Sequence, residues 1–215
     1  MALTSQPAWP ARETVLLTGW IQTTRDAMLI VEGARTGRVP RVTRRFHDIE
    51  RQNMLKSGAI LVFTEEESGI KRWTDVFDWS PSRMLGNFLI YRERAEEQPA
   101  LSDELPEIKP DPCTALLSIA DSYLERCIFG SWRHGKNLKE DGMMKKTLSL
   151  EIEDIVYHII SYYRPSDVLS GLLHTPSSME HMSDIKITYE TTEATSKLRQ
   201  PPQIKWDNEG RIISV

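Results

Sequence analysis

An acidic, proline-rich stretch divides the apolar residues of this chain into two blocks, so a fold must either pack each block alone or bring the two together. The stretch is residues 95–112, AEEQPALSDELPEIKPDP, with four prolines and six carboxylates and little to bury. It reads as an acidic linker. The blocks are about 14–94 and 113–189, in a chain of 215 residues whose 40% apolar content is enough for a core in one or two domains. No internal repeat is visible.

In the first block, Thr14 to Ile21 reads as a strand ending near Gly19-Trp20, and residues 26–34 (DAMLIVEGA) fit either a helix or a buried strand. Asp48 to Lys56 predicts a short helix stopped by Ser57-Gly58. Ala59 to Phe63 (AILVF) has strand length, and Glu65 to Gly69 supplies turn residues before Ile70 to Asp75, which predicts a hairpin with a longer loop. Asn87 to Tyr91 predicts a further strand.

The second block opens with Asp111-Pro112 as N-cap and first turn, then Leu116, Ile119, Ala120, Tyr123, Leu124 and Cys127 at helical spacing, with Gly130 as a stop. A helix over about 112–129 follows from this, with a polar loop after it. Thr147 to Ile152 alternates apolar and polar residues, and Ile155 to Tyr163 follows after only Glu153-Asp154. Two adjacent strands are predicted, although Glu-Asp is not the Asn-Gly or Asp-Gly pair that a tight hairpin turn prefers. Pro165 to Leu173 reads as a short helix and Ile185, Ile187 and Tyr189 as a strand; from Thr191 the chain is polar, with one late apolar cluster at Trp206 and Ile212-Ile213. Strands and short helices without regular alternation point to an α+β fold with a mixed β-sheet.

A formal charge of −4 argues against a uniformly basic nucleic-acid coat protein, but partner choice follows where charge sits rather than its sum. Residues 12–94 hold 14 Lys/Arg and 11 Asp/Glu, net +3, while residues 95–215 hold 13 and 20, net −7. Within the first block, Arg35 to Lys56 carries Arg35, Arg38, Arg41, Arg44, Arg45, Arg51 and Lys56 against Asp48 and Glu50, net +5. Guanidinium forks match phosphates and enter a narrow minor groove. Gly37 and Pro40 make the front of this segment a loop, which could project as an arm or remain a solvated charged loop. A second basic cluster, Lys71-Arg72-Trp73-Thr74 with Arg83 in WSPSR, interleaves aromatic and basic residues. With strand alternation Trp73 would face a core while Arg72 and Thr74 face out. A third cluster, Arg133, Lys136, Lys139, Lys145 and Lys146, lies across the linker.

Enzyme chemistry has no positive signal. The chain lacks GxSxG, HExxH, GxxxxGK[ST] and GxGxxG followed by a helix pattern. His47, His134, His158, His174 and His181 have no metal-ligand spacing with Cys113 and Cys127, so no metal or cofactor is expected. Two cysteines cannot build a disulfide framework in a chain of this size, which favours a reducing intracellular compartment. No signal-peptide pattern or membrane-length apolar run is present, so no membrane partner is expected.

Three long segments carry a far more specific signal: GWIQTTRDAMLIVEGA; RVTRRFHDIERQNMLKSGAILVFTEEESGIKRWTDVFDWSPSRMLGNFLIYRE; and MMKKTLSLEIEDIVYHIISYYRPSDVLSGLLHTPS. Together they closely resemble the WOPR-domain family of fungal transcriptional regulators of morphogenesis, over residues 19–94 and about 142–177. The resemblance implies a sequence-specific DNA-binding protein of the nucleus in which two sequence halves intertwine into one β-rich unit. It further implies that neither half works alone and that an A/T-rich motif is read substantially through the minor groove. On it, residues 12–94 form the first half of the domain, 95–141 the acidic linker with its helix and polar loop, 142–190 the second half, and 191–215 a polar tail.

The candidate DNA-binding residues are Arg41, Arg44, Arg45 and Arg51 in the basic stretch, Lys71 and Arg72 in KRWT, Ser80, Ser82 and Arg83 in WSPSR, and Lys145 and Lys146. Thr74 fits a basophilic kinase site, so the expected partners are double-stranded DNA, such a kinase and other transcription regulators. Two departures stand out. Val76 occupies the place of the usual glycine after RWTD, and IVEGA, with Glu32 and Gly33, replaces an aromatic-rich core pattern. With little beyond Thr191 that reads as an activation region, they leave open a protein-interaction module of the same fold that has lost DNA binding.

Overall fold

The computed structural model describes residues 16–95, 119–131, 137–206 and 212–214. Its centre is a six-stranded sheet of β1 (Leu17–Thr18), β2 (Ala59–Thr64), β3 (Arg83–Leu85), β4 (Phe88–Arg92), β5 (Met144–Ile152) and β6 (Ile155–Tyr163). The spatial order is β1-β2-β6-β5-β4-β3, so the β5–β6 hairpin of the second block sits between two strand pairs of the first. The expected α+β class holds, and the sheet is antiparallel at every pairing rather than mixed. Hairpins need only short turns, whereas parallel neighbours would need long crossovers. A separate two-stranded ribbon pairs β7 (Lys205–Trp206) with β8 (Ile212–Ser214).

The helices are α1 (Thr24–Arg35), α2 (Asp48–Met54), α3 (Glu65–Ser68), α4 (Ile119–Phe129), α5 (Pro165–Leu169) and α6 (Tyr189–Ser196). The ambiguous segment 26–34 is helical, and every residue from Asp26 to Ala34 is buried. It begins at a capping box in which the Thr23 hydroxyl accepts from the Asp26 amide at 3.3 Å and the Asp26 carboxylate accepts from the Thr23 amide at 2.8 Å. Continuous burial hid its helical period. The same cause makes AILVF an unbroken apolar run: Ile60 and Val62 join the core beneath α1, while Leu61 and Phe63 join the core on the opposite face.

The β5–β6 turn is tight despite its sequence, with Ile152 opposite Ile155 and both Glu153 (φ 49°) and Asp154 (φ 67°) left-handed. Other expectations change. No strand forms over 70–75; β2 pairs instead with β1 and β6. Glu65–Ser68 is helical because the Thr64 hydroxyl caps the Glu67 amide at 3.3 Å and Gly69 closes the turn at φ 66°. Of the expected first strand, Leu17–Thr18 is observed, Gly19 to Ile21 are not strand, and Thr14 and Val15 lie outside the described residues. Ile185 and Ile187 are buried but have no strand partner, and Tyr189 opens α6. The proposed start of the linker helix at Asp111-Pro112 lies outside the described residues; the part from Ile119 is α4, ending at Gly130 with φ 62°.

Glu32 and Gly33 each have a packing reason. A Cβ on Gly33 would stand 2.5 Å from Val39 Cγ2, so only glycine lets that segment approach α1. Glu32, with its side chain 2% exposed, accepts from Arg35 Nη1 at 3.0 Å, from the Thr188 hydroxyl at 2.6 Å and from the Thr191 hydroxyl, and Arg35 reaches on to Glu153 at 2.6 Å. Buried Thr191, Ala194 and Thr195 dock α6 there, so the start of the expected polar tail is part of the fold.

Lys146 is 1% exposed and joins three segments: Nζ donates to the carbonyls of Ile21 (2.9 Å), Gln22 (3.4 Å) and Cys127 (3.3 Å). The Phe88 and Trp20 rings lie 4.8 and 5.4 Å from it, adding cation–π attraction. Burial pushes its ammonium down to about 8, so it stays largely charged at neutral pH.

Two stability measurements check this account. Between pH of about 8 and the ordinary lysine value of 10.5 the unfolded chain binds more protons at Lys146, so its contribution to stability rises with pH across that window. The stability of the wild type minus that of Lys146→Met should grow by about 3 kcal/mol over the window, and a flat difference contradicts a buried ammonium. Glu32→Ala should cost about 3 kcal/mol in denaturant unfolding, because Arg35 loses its buried partner; a cost near zero would show that α6 docks without it.

Candidate nucleic-acid interface

The segment that joins α3 to β3 carries KRWTD and WSPSR, and among the described residues 71–77 make no backbone–backbone hydrogen bond to a strand. Side chains hold it instead. Asp75, whose side chain is 4% exposed, accepts at Oδ1 from Trp79 Nε1 (2.6 Å) and at Oδ2 from the Tyr162 hydroxyl (2.7 Å) and Lys145 Nζ (2.9 Å). The Trp73 indole N–H donates to the same Tyr162 oxygen at 2.8 Å. Lys145 Nζ lies between the Trp79 and Tyr91 rings, 4.4 and 4.6 Å from their centroids. Burial pulls the Lys145 ammonium below its ordinary value against the opposing pull of Asp75, and burial together with the Asp75 charge pushes the Tyr162 phenol up. Trp73 itself stacks on Phe63 at 5.5 Å and meets Phe46 edge-on at 5.6 Å. It faces the core while Arg72 and Thr74 stay exposed, as alternation predicts, although the segment is not a strand.

Over this anchored segment the loop before α2 brings up its arginines. Arg45 Nη1 lies 3.4 Å from both the Arg72 carbonyl and the Thr74 hydroxyl. A shallow cleft of about 10 Å³ is lined by Arg45, Phe46, Arg51, Trp73 and Thr74, so two guanidinium groups and a hydroxyl converge above an aromatic floor. Such a set offers donors only to an anion at its rim.

Most neighbouring cations already have carboxylates. Arg41 forks onto Glu67 (2.6 and 3.3 Å) and donates to the Ala34 carbonyl at 2.7 Å. Arg44 forks onto Glu50 at 2.7 and 2.8 Å, and that guanidinium holds the Glu50 carboxyl down at about 2. Arg51 pairs with Asp48 at 3.3 Å and Lys71 with Glu65 at 3.4 Å. Arg72 is different: it is exposed, and its side chain makes no hydrogen bond or ion pair among the described residues.

The remaining candidates separate. Ser82 and Arg83 are exposed, and Arg83, opposite Ile90 in register, points to the sheet face that also carries Lys146. Ser80 is buried; its hydroxyl accepts from the Arg92 amide at 3.0 Å and donates to the Pro81 carbonyl at 3.2 Å. Lys145 and Lys146 are buried as well. These three therefore leave the set of surface contacts. Adjacent residues of a strand point to opposite faces, and β5 is covered on both at its start, so the lysine doublet puts one ammonium into each core. Of the third basic cluster, Lys139 pairs with Glu93 at 2.6 Å, and Arg133 and Lys136 lie outside the described residues.

Asp75 and Tyr162 were not singled out by sequence. The available signal was chemical: two indole N–H groups flank two carboxylates, Asp75 and Asp78, in WTDVFDW, and buried indoles need acceptors. Val76, in the place of the usual glycine, is 48% exposed and has no positive φ, so the bend tolerates a side chain. No group of three or more His, Cys, Asp or Glu among the described residues could hold a metal ion, and none of their helices is long and apolar enough to cross a membrane.

Comparison with known proteins places this geometry. The chain is 37% identical to the global transcription regulator sge1 of Gibberella fujikuroi over 78% of its own length and 57% of that protein. It is 33% identical to the transcriptional regulator MIT1 of Saccharomyces cerevisiae over 80% of its own length and 32% of that protein. It thus spans little more than half, or less, of these curated relatives, which are named as regulators of transcription rather than enzymes. Among solved structures, the WOPR domain of Wor1 in Candida albicans, in complex with a 13 bp double-stranded DNA, is similar with a TM-score of 0.60 and 28% identity, covering 85% of this chain and 97% of that one. Residues 17–164, which contain both strand pairs, the inserted hairpin and the anchored segment, match the Gti1/Pac2 family. The chain belongs to that family of fungal regulators, whose WOPR-type fold it shares.

Proposed function

We propose that this chain is a sequence-specific regulator of transcription in the fungal nucleus that binds double-stranded DNA through the surface formed by residues 43–46 and 71–76. One observation carries the reading: Arg72 is exposed and its side chain has no partner among the described residues, on a loop pinned from beneath, beside Arg45 and Thr74. A guanidinium presented in this way can enter a narrow A/T-rich minor groove, whose negative potential attracts it, without first leaving a carboxylate. Arg41, Arg44, Arg51 and Lys71 would exchange Glu67, Glu50, Asp48 and Glu65 for backbone phosphates. That exchange weakens the net gain per cation but keeps the loops ordered before DNA arrives. Similarity to DNA-bound and transcription-regulating relatives supports the same reading. Thr74 is an exposed residue in a KRWT sequence, so a basophilic kinase is a proposed partner, alongside other transcription regulators.

Selection from random duplexes, followed by titration of the enriched sequence, tests the function and the motif together. The account expects an A/T-rich motif and affinity that falls steeply with salt, through release of counterions from the contacted phosphates. No enrichment, with a flat salt response, would favour an interaction module without DNA binding. Arg72→Ala should weaken the selected duplex by about 1–3 kcal/mol, and Arg44→Ala by less, since its partner Glu50 must be displaced; wild-type binding by Arg72→Ala would remove the carrying observation. Thr74→Glu should also weaken binding, because a negative charge would stand beside Arg45 and Arg72. Unchanged affinity in Thr74→Glu would exclude an electrostatic switch there.

A further inference from the structure

The segment that carries Arg72 lacks a backbone ladder, yet its side chains are fixed by groups from the other side of the linker. Asp75 sits where three elements meet: its own loop through Trp79, β6 through Tyr162, and β5 through Lys145. Trp73, next to Arg72, is tied to the same hub through Tyr162. A buried ion pair of this kind is a weak source of stability compared with apolar packing of similar volume, because both charges must leave water. Its directional bonds fix geometry, however. A slip of Asp75 would move Trp73 and with it the backbone between Arg72 and Thr74, on which Arg45 also rests.

We propose that Lys145 and Asp75 are positioning residues for DNA recognition: their buried pair sets where Arg72 stands and thereby the discrimination between the selected and other duplexes, with neither residue touching DNA. This rests on the function proposed above and deepens it. It also reassigns Lys145, which the sequence had placed among the candidate DNA-binding residues. The proposal joins the two sequence blocks chemically: the loop belongs to the first, while the cation and phenol that hold it belong to the second.

The test uses the full chain and two duplexes of equal length, one with the selected motif and one scrambled, well below the melting temperature. Lys145→Met keeps the stem between Trp79 and Tyr91 but takes the counter-charge from Asp75, which retains only Trp79 and Tyr162 as donors. Asp75→Asn keeps the size and one acceptor, and is the variant on which the test stands if the first does not fold. The ratio of affinities for the selected over the scrambled duplex should fall by about 5- to 150-fold, the worth of one misplaced arginine base contact. Affinity for the scrambled duplex and its salt slope should stay near wild type. If the ratio is unchanged while melting temperature falls, the pair is merely structural and the proposal fails. A salt slope reduced by about one, with both duplexes weakened alike, would make Lys145 a phosphate contact after all and also overturn it. A wild-type chain that does not distinguish the duplexes would overturn the proposed function itself, a separate outcome.

Discussion

The insertion of the β5–β6 hairpin between β2 and β4 governs the rest of the molecule. Neither block has a complete sheet without the other: the first supplies two strand pairs with unpaired inner edges, and the second supplies the hairpin that satisfies both. Open inner edges would expose rows of backbone donors and acceptors. The acidic stretch can therefore be long at modest cost, since loop-closure entropy grows only slowly with length. One sheet, assembled from both sides of a linker, takes the place of two separate small ones.

From that arrangement follows an unusual use of charge. Both faces of β5 are covered at its start, so Lys145 and Lys146 enter opposite cores, one held by Asp75 and two aromatic rings, the other by three carbonyls. Glu32 plays a corresponding part beneath α6. These buried charges act as struts between segments remote in sequence. At the surface the logic reverses: the excess of arginines in 35–56 is partly balanced by carboxylates on α2 and α3, while Arg45 and Arg72 are exposed and, among the described residues, have no carboxylate to displace. Net charge conceals both patterns.

What the sequence could convey follows the same physics. β5 was legible over 147–152 because its alternation survives where one face is less crowded, as at Ser149 and Glu151. α1 was ambiguous because it is buried all round, and period cannot show where every position is apolar or capped. Residues 70–75 imitate a strand, with Trp73 inward and Arg72 and Thr74 outward, because a loop anchored by its own side chains produces the same alternation. Of the candidates named from type and motif, Arg45 and Arg72 lie exposed, whereas Lys145, Lys146 and Ser80 are buried, and burial on a strand covered on both sides, or under a bridge, leaves no mark in a local pattern. Asp75 and Tyr162 went unseen for a related reason: their roles exist only once segments 87 residues apart are brought together.

The central claim, that recognition lies on the loop pair held over the sheet, is tested most directly by hydrogen–deuterium exchange of the full chain with and without a selected A/T-rich duplex. The account predicts added protection at residues 43–46 and 71–76, with α1 and α6 unchanged. Protection concentrated on α1 and α6, with none on those two loops, would contradict it.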